Sequence, residues 1–337
     1  MDNKQVINNK ADIRIAPMID WTDRHCRYFL RQISPNVKLY TEMITCGALL
    51  HGDVDRHLHF HDSEHPIALQ LGGSNPADLA KCCEIAAPYK YDEINLNCGC
   101  PSDRVQSGAF GACLMKTPDK VRECLSAMRS ATDAEVTLKC RIGVDEFESY
   151  DFLKDFIATT AESGCNEFII HARKAWLKGL SPKQNREIPP LRYDVVHQLK
   201  QDFPELRFLI NGGIQTLEQI NEQLALTDGV MIGREAYQNP YILAEIERHI
   251  YGNESVLSRD EVALKMIDYA RSEYERCGTP VKSIARHILG LYQGEKGAKA
   301  WRRTLSESHK VAENHFDLIK DALDNMHSKK GQSCIAA

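Results

Sequence analysis

Reactive and polar side chains stand at the ends of several short apolar runs in this sequence of 337 residues. The residues concerned are Gln70, Asn97 with the following Cys100, Lys139 with Arg141, His171 and Asn211. A thiol can donate a proton, a lysine can stabilise negative charge, and side-chain amides can bind the polar edge of a ring. If the runs are parallel strands, their carboxyl ends meet at one face, so these groups would share one site.

Alternation along the run Val136–Arg141 supports that interpretation. Thr137, Lys139 and Arg141 fall on one face of a strand, while the residues between them are apolar or cysteine. The polar face should therefore point inward, toward a site.

Two glycine-containing turns predict a phosphate site. Asn211 is followed by Gly212 and Gly213, and a later run ends in Gly233 and Arg234. Glycines let backbone N–H groups approach a phosphate, arginine supplies positive charge, and the last two strands of a β/α barrel commonly carry such a site. A phosphate-bearing cofactor is implied.

Eight β-type runs alternate with helical segments, which favours an α/β fold. The runs are Ile13–Ala16, Leu39–Thr41, Ile67–Leu71, Glu93–Asn97, Val136–Arg141, Glu167–His171, Arg207–Asn211 and Gly229–Ile232. Helix-start signals lie between them, at Asn75-Pro76, Thr117-Pro118 and Thr216–Gln219. Eight strands predict a parallel (β/α)8 TIM barrel, and the first strand lacks the glycine-rich turn of a doubly wound sheet.

The strand pattern stops after Asn239-Pro240, and the remaining segments are typical of helices. Ser258–Glu261 forms a capping box ahead of the apolar positions Val262, Met266 and Ala270. We therefore predict two domains, a barrel over residues 1–240 and a smaller all-helical domain over residues 241–337.

Composition and charge narrow the functional class. The amino terminus is polar and no apolar run reaches the length of a membrane span, so we expect a cytoplasmic protein without a membrane partner. The 12 cysteines are scattered, which favours buried thiols over disulfides. The net charge of -5 and the pI near 6.2 require any nucleic acid to be bound by local basic patches.

Seven segments together resemble the bacterial tRNA-dihydrouridine synthases, and subfamily A most closely. They are Ala16–Asp23, LQLGG from Leu69, NLNCGCPSDRV from Asn95, KCRIG from Lys139, FIIHARKAWLKGLSPKQNREIPP from Phe168, NGGI from Asn211 and VMIGREAYQNP from Val230. The likeness continues in order through QGEKGAKAWRRTL in the tail.

The resemblance implies an enzyme that binds FMN and uses NADPH as reductant. Pro17, Met18 and Ile19 would line the flavin, and Gln70 and Lys139 would bond the polar edge of its ring system. His171 would lie by the cofactor phosphate or the target base. The phosphate would be held by Asn211, Gly212, Gly213, Gly233 and Arg234.

The implied reaction reduces the C5=C6 bond of uridine at positions 20 and 20a of the tRNA D-loop. Hydride passes from flavin N5 to C6, and Cys100, which matches the family's proton donor, protonates C5. A free thiol is mostly protonated at neutral pH, which suits that role. No dinucleotide fingerprint is present, so NADPH would dock transiently on the flavin.

Binding of tRNA would depend on local basic residues and on a base taken out of its stack. The resemblance implies Asn97 beside the flipped base, and Lys183, Arg186, Arg302 and Arg303 as the residues that orient the tRNA. Further candidates are Arg24, Arg27 and Arg31 after the first strand, three more basic residues at 173, 174 and 178, and Lys296 with Lys299.

Several alternatives stay open. The barrel could act on free pyrimidines, as a dihydroorotate or dihydropyrimidine dehydrogenase does, or it could bind tRNA without catalysis. His57, His59, His61 and His65 form a run, but their spacing is not that of a zinc site, so we expect a surface loop and no metal. Cys98 stands where relatives carry an aliphatic residue and could couple oxidatively to Cys100. We expect a monomer.

Overall fold

Eight parallel strands form a nearly closed barrel in the computed structural model, which describes residues 11–102, 105, 108–307 and 312–332. They are β1 (Ile13–Ile15), β2 (Leu39–Thr45), β3 (Ile67–Gly72), β4 (Glu93–Cys98), β5 (Glu135–Arg141), β6 (Glu167–His171), β7 (Arg207–Asn211) and β8 (Gly229–Ile232). The sheet order is β1-β8-β7-β6-β5-β4-β3-β2. The predicted (β/α)8 barrel is therefore confirmed.

The ends of the sheet, β1 and β2, are joined through Lys38. Its N–H donates to the carbonyl of Ile13 at 3.0 Å, and its carbonyl accepts from the N–H of Ile15 at 2.9 Å. These two bonds continue the parallel ladder across the gap. The backbone N–H and C=O groups of β1 therefore have hydrogen-bond partners on both sides of the strand.

Fourteen helices are described. They are α1 (Arg24–Ile33), α2 (Cys46–His51), α3 (Val54–Leu58), α4 (Pro76–Ala86), α5 (Pro118–Ser130), α6 (Tyr150–Ala161), α7 (Tyr193–Asp202), α8 (Leu217–Leu224), α9 (Arg234–Gln238), α10 (Ile242–His249), α11 (Arg259–Cys277), α12 (Val281–Ala285), α13 (Ala298–Ser306) and α14 (Leu318–Gln332). Within the described ranges, none has the length and apolar character that a membrane crossing requires.

The predicted helix starts agree with the structure. The Asn75 side chain accepts from the N–H groups of the first turn of α4, and Pro76 is the first residue of that helix. Capping boxes open α8 at Thr216 and α11 at Ser258. At Thr117 the helix begins as predicted, but the threonine side chain makes no capping bond.

Two compact units divide the described residues. The barrel unit comprises residues 11–20 and 37–233, and the helical unit comprises residues 21–36 and 234–332. The predicted division lies after residue 240, whereas the compact units divide after Gly233. The segment that contains α1 follows β1 in the chain yet packs with the helices of the tail.

Polar caps and one large aromatic side chain organise the helical unit. Asp23 caps α1 by accepting from the N–H groups of His25 and Cys26, and its other oxygen accepts from His287 Nε2 at 3.0 Å. Trp301 is fully buried, and its indole N–H donates to the carbonyl of Ile288 at 3.0 Å. These bonds connect α1 and α13 with the segment after α12.

The interior of the barrel is layered from one end to the other. A buried charged network around Arg14 fills the amino end of the strands. Above it lies an apolar layer of Ala16, Tyr40, Ala68, Ile169, Leu209 and Met231, against which Met18 packs. Polar side chains occupy the carboxyl end, where β/α barrels place their sites.

Candidate active site

A ladder of side-chain amides crosses strands β3, β4 and β5 below the carboxyl end of the barrel. Gln70 Nε2 donates to Asn95 Oδ1 at 2.8 Å, and Asn95 Nδ2 donates to Thr137 Oγ1 at 2.7 Å. Asn97 Nδ2 in turn donates to Gln70 Oε1 at 2.9 Å. All four side chains are buried, so each bond satisfies the hydrogen-bonding needs of polar groups that water cannot reach.

Asn97 also positions the loop that carries Cys100. Its Oδ1 accepts from the backbone N–H groups of Gly99 at 3.1 Å and Cys100 at 3.0 Å. The carbonyl of Cys100 accepts from the N–H of Ala112 at 2.9 Å. The backbone of Cys100 is therefore held on both sides, and its half-buried thiol lies 3.6 Å from Ser102 Oγ.

Lys139 and Asn211 meet across the mouth of the barrel. Lys139 Nζ donates to Asn211 Oδ1 at 3.1 Å, and Asn211 Nδ2 donates to the carbonyl of Met231 at 2.8 Å. The sequence predicts a role at the flavin ring for Lys139 and at the phosphate for Asn211. The structure brings the two residues together.

The turn after β7 requires glycine. Gly212 has a φ of +125° and Gly213 a φ of +69°. A Cβ at Gly212 would lie 2.8 Å from His171 Cδ2, and one at Gly213 would lie 2.6 Å from Leu191 Cδ1. The close approach of Gly212 to the imidazole leaves room for backbone N–H groups but not for a side chain.

Burial and neighbouring cations dominate the electrostatics of the mouth. Burial, with a smaller contribution from Arg141, lowers the pKa of Lys139 to about 8. Burial likewise lowers the pKa of Arg141 to about 10, and Cys100 lies close enough to both residues to act on them electrostatically. Burial and the cations Arg141, Lys139, Arg173 and Arg186 hold the pKa of His171 well below its usual range. The mouth is electropositive and suits an anion.

Arg141, which the sequence places at the site without a specific role, and Asn185, which no sequence signal singles out, are further functional candidates. Arg141 is buried and donates to three carbonyls, those of Gly99 at 2.9 Å, Lys174 at 3.2 Å and Asn185 at 3.0 Å. It therefore ties the Cys100 loop to the loop after β6. The polar face of β5 was the available signal for Arg141, whereas nothing local distinguishes Asn185.

Other predicted flavin residues lie at the ends of β1 and β8. Pro17 and Met18 are half-buried, and Ile19 is 53% exposed. Gly233 is half-buried, and a Cβ there would meet only Ala16 Cβ within 4 Å. Arg234 begins α9 and belongs to the helical unit.

The basic candidates for tRNA divide into exposed and buried residues. In the barrel unit, Lys183 and Arg186 are exposed on the loop after β6. In the helical unit, Arg302 and Arg303 are exposed on α13, as are the nearby Lys296 and Lys299.

The prediction of Arg27 and Arg31 as candidates for binding tRNA is wrong. Both are buried, and their guanidinium groups donate to the carbonyls of Thr22 and Ser34, respectively, each at 2.8 Å. Arg27 and Arg31 lie four residues apart on one face of α1, and their stems pack inward there, which the sequence pattern alone does not reveal.

Two members of the histidine run, His61 and His65, have local structural roles. His61 caps a short 3₁₀ helix and forms a capping box with Glu64, and His65 Nδ1 lies 2.7 Å from Asp92 Oδ2. Cys98 is fully buried, with Cys140 and Cys124 as its electrostatic neighbours. Each of the 11 cysteines within the described residues is a free thiol.

Comparison with known proteins assigns this barrel and its mouth to a family. A family model described as dihydrouridine synthase (Dus) matches residues 14–328. The chain therefore belongs to the dihydrouridine synthase family.

Curated relatives align over nearly the whole chain. The tRNA-dihydrouridine(20/20a) synthase of Shewanella oneidensis is 58% identical over 315 residues, which is 93% of each chain. That of Vibrio cholerae is 54% identical over 94% of this chain and 97% of the relative. That of Escherichia coli K12 is 53% identical over 98% of this chain and 96% of the relative.

Proposed function

We propose that this protein reduces the C5=C6 bond of uridines 20 and 20a in the tRNA D-loop, with FMN as cofactor and NADPH as reductant. The observation that carries the proposal is the arrangement at the mouth of the barrel. There Cys100, whose backbone is held by Asn97, lies close to the half-buried Lys139 and the buried Arg141. The relatives' shared name supplies the substrate and its positions.

The residues at the mouth fit FMN. Its phosphate would be held by the glycine turn at Gly212 and Gly213, together with Asn211, Gly233 and Arg234. A side chain at Gly212 would collide with His171, so this turn presents backbone to a ligand. Lys139 and Gln70 would bond the polar edge of the ring system, and Pro17, Met18 and Ile19 would line it. The pKa of Lys139 is about 8, so an anionic group bound beside this lysine would stabilise its protonated form.

Cys100 supplies the proton in this proposal. When bound and reduced by NADPH, FMN supplies the hydride that adds to C6 of the uracil ring. The Cys100 thiol then gives its proton to C5, which leaves a thiolate. Lys139 and Arg141 stabilise that thiolate because Arg141 is buried and Lys139 half-buried, so their charges are only partly screened by water. Asn97 fixes the thiol through the backbone of Cys100.

Because the chain is acidic overall, binding of the tRNA substrate would depend on local clusters of basic residues. The chain carries a formal charge of -5, whereas Lys183 and Arg186 are exposed on one loop of the barrel unit and Arg302 and Arg303 on α13. Local clusters of this kind bind phosphates even when the whole protein is acidic. Asn97 would lie beside the extruded base.

The test is dihydrouridine formation on unmodified tRNA by the purified protein with FMN and NADPH, mapped by position. We expect product at positions 20 and 20a. Cys100→Ala should keep its flavin and lose about 10²–10⁴-fold in single-turnover rate, the range for general-acid catalysis. Cys113→Ala, which changes another half-buried thiol of the barrel unit, is the matched control and should retain the wild-type rate.

A wild-type protein that reduces free uracil or dihydroorotate and leaves tRNA unmodified would contradict the proposal. Normal dihydrouridine formation by Cys100→Ala would leave the reaction standing and contradict the role of the thiol.

A further inference from the structure

Large apolar side chains are exposed mainly at one end of the barrel unit. Five are exposed among its described residues, and four of these follow the carboxyl ends of strands: Ile19, Phe147, Trp176 and Ile188. The fifth, Leu226, precedes β8 at the opposite end. Exposed apolar groups gathered on one face are typical of an interaction surface.

The backbone of Trp176 is held by two hydrogen bonds, while 36% of the residue is exposed. The buried Asn185 accepts from the Trp176 N–H at 2.7 Å and donates to the Trp176 carbonyl at 2.9 Å. Arg141 in turn donates to the carbonyl of Asn185. These bonds fix the backbone from which the half-exposed indole projects, so part of the ordering cost of presenting a flat ring to a partner is already met in folding.

Phe147 belongs to the same surface because its loop is joined to that of Trp176. Val144 and Ala175 form a parallel β-bridge, and Asp145 Oδ1 accepts from the N–H of Leu177 at 2.8 Å. Phe147 is 42% exposed. We name Phe147 and Trp176 together the aromatic rim.

Each ring of the aromatic rim carries a lysine. Lys174 Nζ lies 4.0 Å from the centroid of Trp176, and Lys116 Nζ lies 5.2 Å from that of Phe147. The loop over residues 173–190 contains five basic residues and one acidic residue, within a chain whose net charge is -5. Both lysines also pair with carboxylates, Lys174 with Glu148 and Lys116 with Asp145. Aromatic rings beside a basic loop bind single-stranded nucleic acid, because bases stack on the rings and the excess positive charge of the loop attracts the phosphates.

We propose that the aromatic rim stacks unpaired nucleotides of the tRNA next to the target uridine. This inference rests on the proposed function, which makes tRNA the substrate. Arg141 joins the loop of the aromatic rim to the Cys100 loop, since it donates both to the Gly99 carbonyl and to the Lys174 carbonyl. The rim holds the strand that flanks the extruded base.

Steady-state kinetics on unmodified tRNA test the aromatic rim. Trp176→Leu keeps apolar bulk and removes the stacking face, so we expect KM for tRNA to rise roughly 5–100-fold with little change in kcat, from the usual stacking contribution per base. Trp176→Phe should stay within about threefold of wild type because a phenyl ring still stacks. Leu226→Ala, at the opposite end of the barrel, is the matched control and should leave KM unchanged.

A second measurement covers the case in which the leucine variant fails to fold. tRNA should quench the tryptophan fluorescence of the wild type more strongly than that of Trp176→Phe, because the exposed indole would lie against a base. Equal quenching in the two proteins would overturn the proposal, as would a wild-type KM for a folded Trp176→Leu enzyme.

The outcomes separate this inference from the proposed function. If the wild type forms no dihydrouridine in tRNA, the proposed function fails and the rim's role fails with it. If the wild type is active and Trp176→Leu binds tRNA normally, only the rim is wrong. A protein partner would then be the better occupant of this surface.

Discussion

The two ends of the barrel interior both hold charged side chains, but these side chains have opposite kinds of partner at the two ends. At the amino end of the strands, Arg14 pairs with Glu93 at 2.9 Å and with Glu167 at 2.6 Å. At the carboxyl end, Lys139 and Arg141 bond only amide and carbonyl oxygens, and neither forms an ion pair with any described residue. The charge of Arg14 at the amino end is therefore balanced by carboxylates, whereas the charges of Lys139 and Arg141 at the carboxyl end are not balanced by any described residue.

The pKa values follow this difference. Burial opposes the charge on Arg14, but Tyr40 and the carboxylates outweigh it and raise the pKa of Arg14. Burial also opposes the charge on Glu93, but Arg14 and Lys38 lower its pKa. At the other end, burial lowers the pKa of Lys139, and Arg141 adds to the effect.

Buried charge alone therefore does not identify a ligand-binding site. The carboxylates Glu93, Glu135 and Glu167 lie close enough together to suggest a metal, yet Arg14 and Lys38 already occupy the space between or beside them. The cations at the mouth are the group whose charge remains to be balanced. The phosphate-bearing cofactor that we propose would supply that balance.

The largest expected effect concerns the amino end. Arg14→Met leaves Glu93 and Glu167 buried without their main partner, so we expect the free energy of unfolding to fall by about 3–5 kcal/mol in urea titration. Arg192→Met breaks a surface pair with Asp194, and we expect a loss of less than about 1 kcal/mol. Equal effects of the two substitutions would contradict a structural role for the Arg14 network.

Lys139→Met should act on cofactor binding. Loss of a charge-assisted bond predicts a rise in the Kd for FMN of roughly 10–100-fold. Because only protonated Lys139 attracts an anion, the wild-type Kd should rise as pH increases above about 8, and the Kd of the variant should lack this step.

The same substitution should stabilise the flavin-free protein. The folded state holds the proton of Lys139 less tightly than the unfolded state does, so the cost of burying this charge is fully present below pH 8 and disappears as pH rises toward the ordinary value of 10.5. The advantage of Lys139→Met should therefore shrink over that window. Thermal unfolding of FMN-free protein across the pH series measures it, and a constant difference would count against the lowered pKa.

Gly212→Ala tests the turn after β7. The Cβ would collide with His171 at a φ of +125°, so we expect a loss of about 1–3 kcal/mol in stability and weaker retention of FMN. Gly179→Ala is the control, since its φ is +83° but nothing lies within 4 Å of the added Cβ. If the two variants lose equal stability and equal flavin, the close approach at Gly212 has no special role.

The smallest effect concerns tRNA binding by the helical unit. Arg303 is exposed and forms only a weak pair with Glu307 at 3.5 Å, so Arg303→Ala should leave folding intact. Loss of one phosphate contact should reduce the slope of log affinity against log salt by about 1. Lys81→Ala removes another exposed cation, on α4, which pairs with Glu84 at 2.8 Å, and it should not change the slope.

Sequence periodicity predicted the barrel well because each strand needs only a short apolar run and a turn. The bounds of β6, β7 and β8 agree with the structure, whereas β2 continues four residues beyond the predicted Thr41. A register shift between Tyr40 and Met43 interrupts the alternation there, which hides the continuation.

Features that depend on contacts distant in sequence could not be predicted. Arg14 lies in a three-residue strand, and its partners Glu93 and Glu167 are each the first residue of a later strand. The segment around α1 packs with the tail, in part because Glu247 on α10 accepts hydrogen bonds from Ser34 and Asn36. A truncation after Asn239 would remove those partners, so it cannot isolate the barrel cleanly.

The flavin content of the protein tests the central claim most directly. The protein would be purified under mild conditions and denatured, and the released chromophore would be identified by chromatography and quantified against protein. The account predicts a yellow protein that carries stoichiometric FMN and loses it in Lys139→Met but not in Arg192→Met. A colourless protein that takes up no FMN when supplied with it would contradict the account.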